Sequence, residues 1–305
     1  MIHIIITSYN EPLSTERAIN KLLAQKIEQK YKIIILDPFE EVKRFIEEKF
    51  KDKKQVEFEL DEGLGKSFAL NTLFRKIYSN NSNDIIILTD GDVYVDPSVV
   101  NEIVNGFNNK KVGVICGHPI SLNSRSTKYG FWAALQFEVL NKLRKNLNTE
   151  GFMETSGYLF AIRNGTLKGF PVDSSEDSII PYLFYQKGYL IKYLEDAIVY
   201  VKNPTNWSDW INQRKRNIKG HSTINKNIKG LKDIRRTKTM FNEIKYGLLF
   251  SLTYPKNIKE IFWLFQFYLA RFYVWTLAFY EIKFKKKKYQ DGWRESEIKS
   301  TRTLD

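Results

Sequence analysis

Ile85-Ile86-Ile87-Leu88-Thr89-Asp90-Gly91-Asp92 is the stretch on which the reading of the fold turns. An unbroken run of β-branched and apolar residues is what a strand buried on both faces of a parallel sheet requires. The two carboxylates after it converge on one small volume at the strand's carboxyl end, where open α/β sheets bind ligands. The glycine between them lets a ligand approach the backbone. Such a pair suits a hard divalent cation that is itself coordinating phosphate oxygens. Asp-x-Asp after an apolar run also occurs as a plain turn, so the rest of the chain must decide.

Upstream of this stretch, strand and helix alternate. Strands are expected at Ile2–Thr7, Tyr31–Leu36, Gln55–Leu60 and Asp84–Thr89, with helices at Ser14–Gln29, Glu40–Phe50, Gly65–Tyr78 and Pro97–Phe107 between and after them. That alternation implies βαβ units and a parallel sheet. Val112–Gly117 adds a strand. Beyond residue 120 the pattern loosens: helices are expected at Tyr129–Arg144 and Asp177–Lys187, and strands at Gly157–Arg163, Leu190–Leu194 and Ala197–Val201. The 305 residues suffice for one large α/β domain or for a domain with an appendage. The division expected is an α/β domain over 1–230, then a helical extension over 231–305.

The net charge of +13 predicts attraction to phosphate in some form. No nucleic-acid motif is present, so nucleic acid is not an expected partner. A single cysteine, Cys116, excludes an intramolecular disulfide framework and fits a reducing compartment. His3, His118 and His221 show no metal-ligand spacing and read as structural or incidental. The amino terminus reads as the first strand, not a signal peptide.

Further stretches turn the lone Asp-x-Asp into a pattern. Thr7-Ser8-Tyr9-Asn10-Glu11 ends the first strand, and Asp37 ends the second. Gly63-Leu64-Gly65-Lys66-Ser67-Phe68-Ala69-Leu70-Asn71 opens the third helix, and Glu176-Asp177 opens another. Gln213-Arg214-Lys215-Arg216 follows Trp207 and Trp210. In this order the chain resembles the family 2 inverting glycosyltransferases of the GT-A fold, nearest the membrane-associated cellulose, chitin and hyaluronan synthase branch. The resemblance covers roughly residues 2–221 and implies a mostly parallel α/β sheet flanked by helices, in a catalytic domain over 1–230 with a nucleotide-sugar half to about 95 and an acceptor half from 96.

The resemblance implies a metal-dependent, inverting transfer of sugar from a nucleotide-sugar, a UDP-sugar first, to a hydroxyl of a glycan. Asp90 and Asp92 would hold the ribose and a Mn²⁺ or Mg²⁺ ion on the diphosphate, and Asp37 would accept from the base. Thr7, Tyr9, Glu11, Lys66 and Asn71 would line the donor site. Gln213 and Arg216 would give the diphosphate hydrogen-bond donors, a guanidinium being suited to bidentate contact. Asp177 would be the general base and Glu176 would orient the site. The competing reading of Ser174-Ser175-Glu176-Asp177 is a plain helix N-cap with acidic first-turn residues. Two positions depart from the family: Pro38 replaces a second acidic residue, and Asn217 replaces the tryptophan expected after Gln-x-x-Arg. A transferase acting on a polyprenyl phosphate, with a lipid-linked acceptor, is the rival enzyme; a non-catalytic nucleotide-binding scaffold is the rival outside enzymes.

Ile261–Tyr280 is apolar enough, with Arg271 its one formal charge, to cross a bilayer. Gln266, Arg271, Thr276 and Glu281 recur every five positions and scatter around a helix, which argues against a simple interfacial helix. Tyr246–Tyr254 before Pro255 suggests a helical hairpin, and Lys285–Lys288 suits an anionic membrane surface on its cytoplasmic side. The alternative is a soluble cytoplasmic protein with these aromatics packed inside.

Overall fold

Why the first half alternates becomes visible in the two cores. The computed structural model describes residues 1–172, 174–224, 239–285 and 300–301. Strands β1 (Ile2–Thr7), β2 (Tyr31–Asp37), β3 (Val56–Leu60) and β4 (Ile85–Asp90) pair in parallel in the order β3-β2-β1-β4. Period-two side chains feed both faces. Ile4, Ile6, Ile33, Ile35 and Ile87 pack under helices α1 (Pro12–Leu23), α2 (Glu40–Lys49) and α4 (Val99–Gly106). Ile5, Ile34, Leu36, Ile86 and Leu88 pack under α3 (Lys66–Lys76). The Ile runs are therefore buried on both sides, as a central parallel sheet requires.

The sheet then continues as β7-β6-β8-β5, where β5 is Tyr94–Val95, β6 Val112–Ser121, β7 Leu159–Arg163 and β8 Leu190–Val201. Here the sheet becomes mixed, within the expected mostly parallel architecture. β7 runs antiparallel to both β4 and β6, whereas β6 and β8 are parallel and β5 is antiparallel to β8. The two short strands expected at 190–194 and 197–201 are one strand. A register shift between Cys116 and His118 leaves residues 194–197 opposite Gly117. Helix α1 stops at Leu23, short of Gln29. The chain beyond is tied to α4, with the Gln25 side chain accepting the Val100 N–H and Asn101 donating to the Lys26 carbonyl.

Helix α5 (Lys128–Leu147) returns across the second half, followed by α6 (Glu176–Gln186) and α7 (Trp207–Ser222). Where a helical hairpin is expected, two helices form, α8 (Met240–Thr253) and α9 (Ile258–Lys283), and each packs chiefly against α5 or α7 rather than against the other. Helix α9 lays Leu264, Phe267, Ala270, Val274 and Ala278 against Phe131, Trp132, Leu135, Trp210 and Ile218 of α5 and α7. Arg125 clamps its start through a two-pronged ion pair with Glu260, both bonds 2.9 Å. Trp132 donates to the Trp263 carbonyl at 2.8 Å. Lys215 and Lys219 pair with Glu281 near its end. The polar residues of α9 are thus not simply scattered: Arg271 and Glu281 lie on the docked side, and Phe262, Phe265, Leu269 and Phe272 on the exposed side. Of the Lys285–Lys288 cluster, residues 286–288 lie outside the described residues, as does the boundary expected at 230.

Candidate active site

Parallel pairing of β1 with β4 sets Thr7 beside Asp90 at the carboxyl edge of the sheet. The Thr7 hydroxyl donates to Asp90 Oδ1 at 2.7 Å. Lys66, first residue of α3, reaches the same oxygen at 2.8 Å and Glu176 Oε1 at 2.7 Å. Burial acts to lower the Lys66 pKa, but the two carboxylates outweigh it and hold the ammonium above its ordinary value. Lys66 therefore joins residues from β4 and α6 that are far apart in sequence. Ser67 reinforces the join by donating to the Ser174 carbonyl.

Gly91 has a different task from the one its sequence suggests. A Cβ there would lie 2.8 Å from Thr15 Oγ1 and 3.2 Å from Ser8 Cβ. The glycine makes room for the Ser8–Thr15 hydroxyl pair, which is 2.8 Å apart, and not first of all for a ligand.

Helix α6 presents Glu176 and Asp177 in its first turn, both buried. Thr155 donates to the Asp177 carbonyl from its backbone N–H, at 3.1 Å, and its hydroxyl, at 2.7 Å. Ser175, at the N-cap, makes no side-chain cap bond. Its hydroxyl donates to Asp177 Oδ1 instead, so of the plain-cap reading the acidic first turn forms and the side-chain cap does not. Ser178 Oγ lies 3.3 Å from the same oxygen and 2.6 Å from His221 Nδ1. His221 stands 3.5 Å from Glu154, which accepts from the Tyr182 hydroxyl at 2.9 Å.

These groups share one cavity of about 290 Å³. Its wall includes Thr7, Tyr9, Glu11, Lys66, Asp90 and Asp92 from the first half. Glu176 and Asp177 face it from α6, and Gln213 and Arg216 from α7. Asn242, Arg271 and Trp275 close it from α8 and α9, which brings the C-terminal helices into the site. Asp90 and Asp92 are oxygen ligands of the kind Mg²⁺ or Mn²⁺ takes. Among the described residues no three His, Cys, Asp or Glu side chains are grouped for a metal. The pair therefore fits a cation that completes its shell with substrate phosphates and water.

Two expected donor-site residues are not on this wall. Asp37 is fully enclosed, accepting from the Asn10 N–H at 3.0 Å and the Phe39 N–H at 2.9 Å. Burial pushes its carboxyl above the ordinary value, against the opposing effect of those bonds and of Ser8. It organises the loop that carries Tyr9. Asn71 spends its amide on the backbone of Phe170, donating at 2.8 Å and accepting at 2.7 Å, and so braces the loop before α6. His221 is the residue that sequence reasoning set aside. Its spacing from Gln213 through Asn217, four residues each, was the available signal that it shares their helix face.

The family model described as Glycosyl transferase family 2 matches residues 3–169. The poly-beta-1,6-N-acetyl-D-glucosamine synthase of Staphylococcus aureus strain COL is 24% identical over 226 residues, covering 70% of this chain and 53% of that protein. The probable glycosyltransferase YdaM of Bacillus subtilis strain 168 is 25% identical over 169 residues, 53% of this chain and 39% of that protein. The chain thus spans about half the length, or less, of these curated relatives. Among solved structures, S. aureus TarS 1-349 in complex with UDP-GlcNAc superposes with a TM-score of 0.54 at 14% identity, over 87% of this chain and 79% of that one. That likeness is one of fold: a mixed α/β sheet of GT-A type flanked by helices.

Proposed function

Because the chain belongs to glycosyl transferase family 2, we propose that this glycosyltransferase moves a sugar from a UDP-sugar to a glycan hydroxyl with inversion, assisted by a divalent cation. The observation that carries the reading is the convergence of Asp90, Lys66, Glu176 and Asp177 on one cavity from three separate elements. In this reading the acceptor oxygen bonds to the anomeric carbon as the bond to the diphosphate breaks, and the electron pair leaves on a phosphate oxygen. Asp177 takes the acceptor's proton. The hydroxyls of Ser175 and Ser178 hold one of its carboxylate oxygens and so fix the orientation in which the group meets the acceptor. Asp90 and Asp92 would hold Mg²⁺ or Mn²⁺, which when bound neutralises charge on the diphosphate as a Lewis acid. Arg216 and Gln213 supply donors to the same leaving group.

The relatives' names support a sugar polymer or cell-surface glycan as the product class. The exposed apolar side of α9 supports a location at the cytoplasmic face of a membrane. The test is a screen of nucleotide-sugars with the full-length chain, Mn²⁺ or Mg²⁺ and an acceptor set, following release of nucleoside diphosphate and the anomeric configuration of the product. UDP-sugar turnover that EDTA abolishes is expected. Full activity in EDTA removes the metal role, and a retained configuration removes Asp177 as an inverting base.

A further inference from the structure

The cavity extends well past the reacting groups along α5, and its far wall holds a charge that nothing in the donor chemistry uses. Arg144 is 4% exposed, lines the cavity, and its Nη1 has no hydrogen-bond partner. Its guanidinium lies 6.0 Å from the ring centroid of Tyr193, a contact that satisfies no N–H. An arginine stays charged wherever it is placed, so burying one without a partner carries a large desolvation cost. Such a cost is consistent with a ligand that supplies the missing anion. On the same helix face, Gln136 Oε1 is a second buried polar atom without a partner.

The two positions lie at different depths. Phe137, next to Gln136, stacks edge-on against Tyr158 at 6.0 Å, and the Tyr158 carbonyl accepts from Thr89, next to Asp90. Gln136 is thus at the reacting end. Arg144 is eight residues further along α5, about 12 Å at the helical rise. Phe137, Leu140 and Leu143 form the wall between them. The donor's diphosphate is served at the other end, by Asp90, Asp92 and Arg216.

We propose that Arg144 is an anion subsite for the acceptor: the acceptor carries a phosphate group that Arg144 binds, while Gln136 contacts its polar groups nearer the reacting hydroxyl. This rests on the transferase reading above and adds the acceptor's class to it. The phosphate can belong to a polyol-phosphate or sugar-phosphate chain or to a lipid phosphate; the chemistry recognised is the same. A planar guanidinium suits it because two N–H groups meet two phosphate oxygens.

The test is thermal unfolding of the full-length chain with saturating UDP and Mn²⁺, so that the diphosphate site is filled, while inorganic phosphate is titrated. Phosphate should raise the wild-type Tm. Arg144→Met should lose that response, with phosphate Kd weakened tenfold or more, and Arg144→Lys should keep part of it. Without phosphate, Arg144→Met should melt higher than wild type, because an uncompensated buried charge is gone. Both variants should still respond to UDP. Competition then separates the sources: soluble glycerol phosphate polymer displacing inorganic phosphate assigns a glycan, and vesicles carrying polyprenyl phosphate assign a lipid. A wild type indifferent to phosphate, or an Arg144→Met that responds equally, overturns the proposal. So does an Arg144→Met that melts lower and takes a neutral oligosaccharide acceptor as well as wild type does. A chain that fails to bind UDP overturns the donor reading instead.

Discussion

Asp177 is held from three directions: two hydroxyls on one carboxylate oxygen and Thr155 on its carbonyl. In the proposed mechanism it is the base, and a carboxylate so fixed should be lost chemically without disturbing the donor. Asp177→Asn is expected to bind UDP as wild type by calorimetry and to lose transfer by about 10²–10⁴, the usual worth of a positioned base. Turnover within about tenfold of wild type would remove the assignment. His221 reaches Asp177 through Ser178, which makes it a candidate positioning residue. His221→Ala should lower kcat by less than Asp177→Asn does and displace the acid limb of the kcat profile, with the KM for donor unchanged. An unaltered pH profile would make its role one of packing. Asp37 offers a stability test. Its folded pKa is raised, chiefly by burial, so the protonated form is the one favoured by folding. Its contribution is present below the ordinary value of 3.8 and is lost as pH rises through the folded value. Asp37→Asn should therefore flatten the fall in unfolding free energy that wild type shows as pH rises from about 4 toward 7. Parallel curves would contradict the burial effect.

Among the elements, the parallel half was legible because its Ile runs carry the burial of both faces in their composition. Direction was not. Leu159–Arg163 is apolar throughout, and such a strand reads the same whether its neighbours run with it or against it. Tyr94–Val95 is too short to show a period. The end of α1 depended on Gln25 finding an N–H on α4, a long-range contact that no local pattern records. The site followed the same rule. Asp90, Asp92, Lys66, Glu176 and Asp177, which line one cavity, were legible as a group because each stands at or just beyond the start or end of an element. Asn71 and Asp37 have the expected type but turn to neighbouring backbone, and Arg144 lay inside an ordinary-looking helix. The seam between α5 and α9 is likewise a matter of packing. Trp132 is nearly fully buried and meets Trp210 at 5.1 Å and Phe267 at 5.9 Å between ring centroids. Trp132→Ala should cost about 3–5 kcal/mol in denaturant unfolding, the range for large aromatic truncations in a core. A cost below about 1 kcal/mol would mean that α9 is not firmly docked.

At the scale of the whole molecule, α9 has two apolar sides, one docked on α5 and α7 and the other exposed. By length and composition it is the one helix among the described residues able to cross a membrane. Crossing would pull Glu260 from Arg125 and Glu281 from Lys215 and Lys219, leaving charges without partners in hydrocarbon, which is costly. It would also strip Trp132, Trp210 and Phe131 of their cover. Lying in the membrane plane keeps all of these contacts and lets Phe262, Phe265, Leu269 and Phe272 enter the lipid boundary. Removing the C-terminal helices should then make the remainder less soluble, since their inner face shields an aromatic cluster and walls the cavity. The full-length chain should sediment with membranes, resist high salt, and come off in alkaline carbonate, which strips proteins lying on the surface but not those that span. Replacing the four outer residues with serine should free it from membranes while UDP binding persists. Retention in the carbonate pellet would instead mean that α9 leaves the catalytic domain and spans.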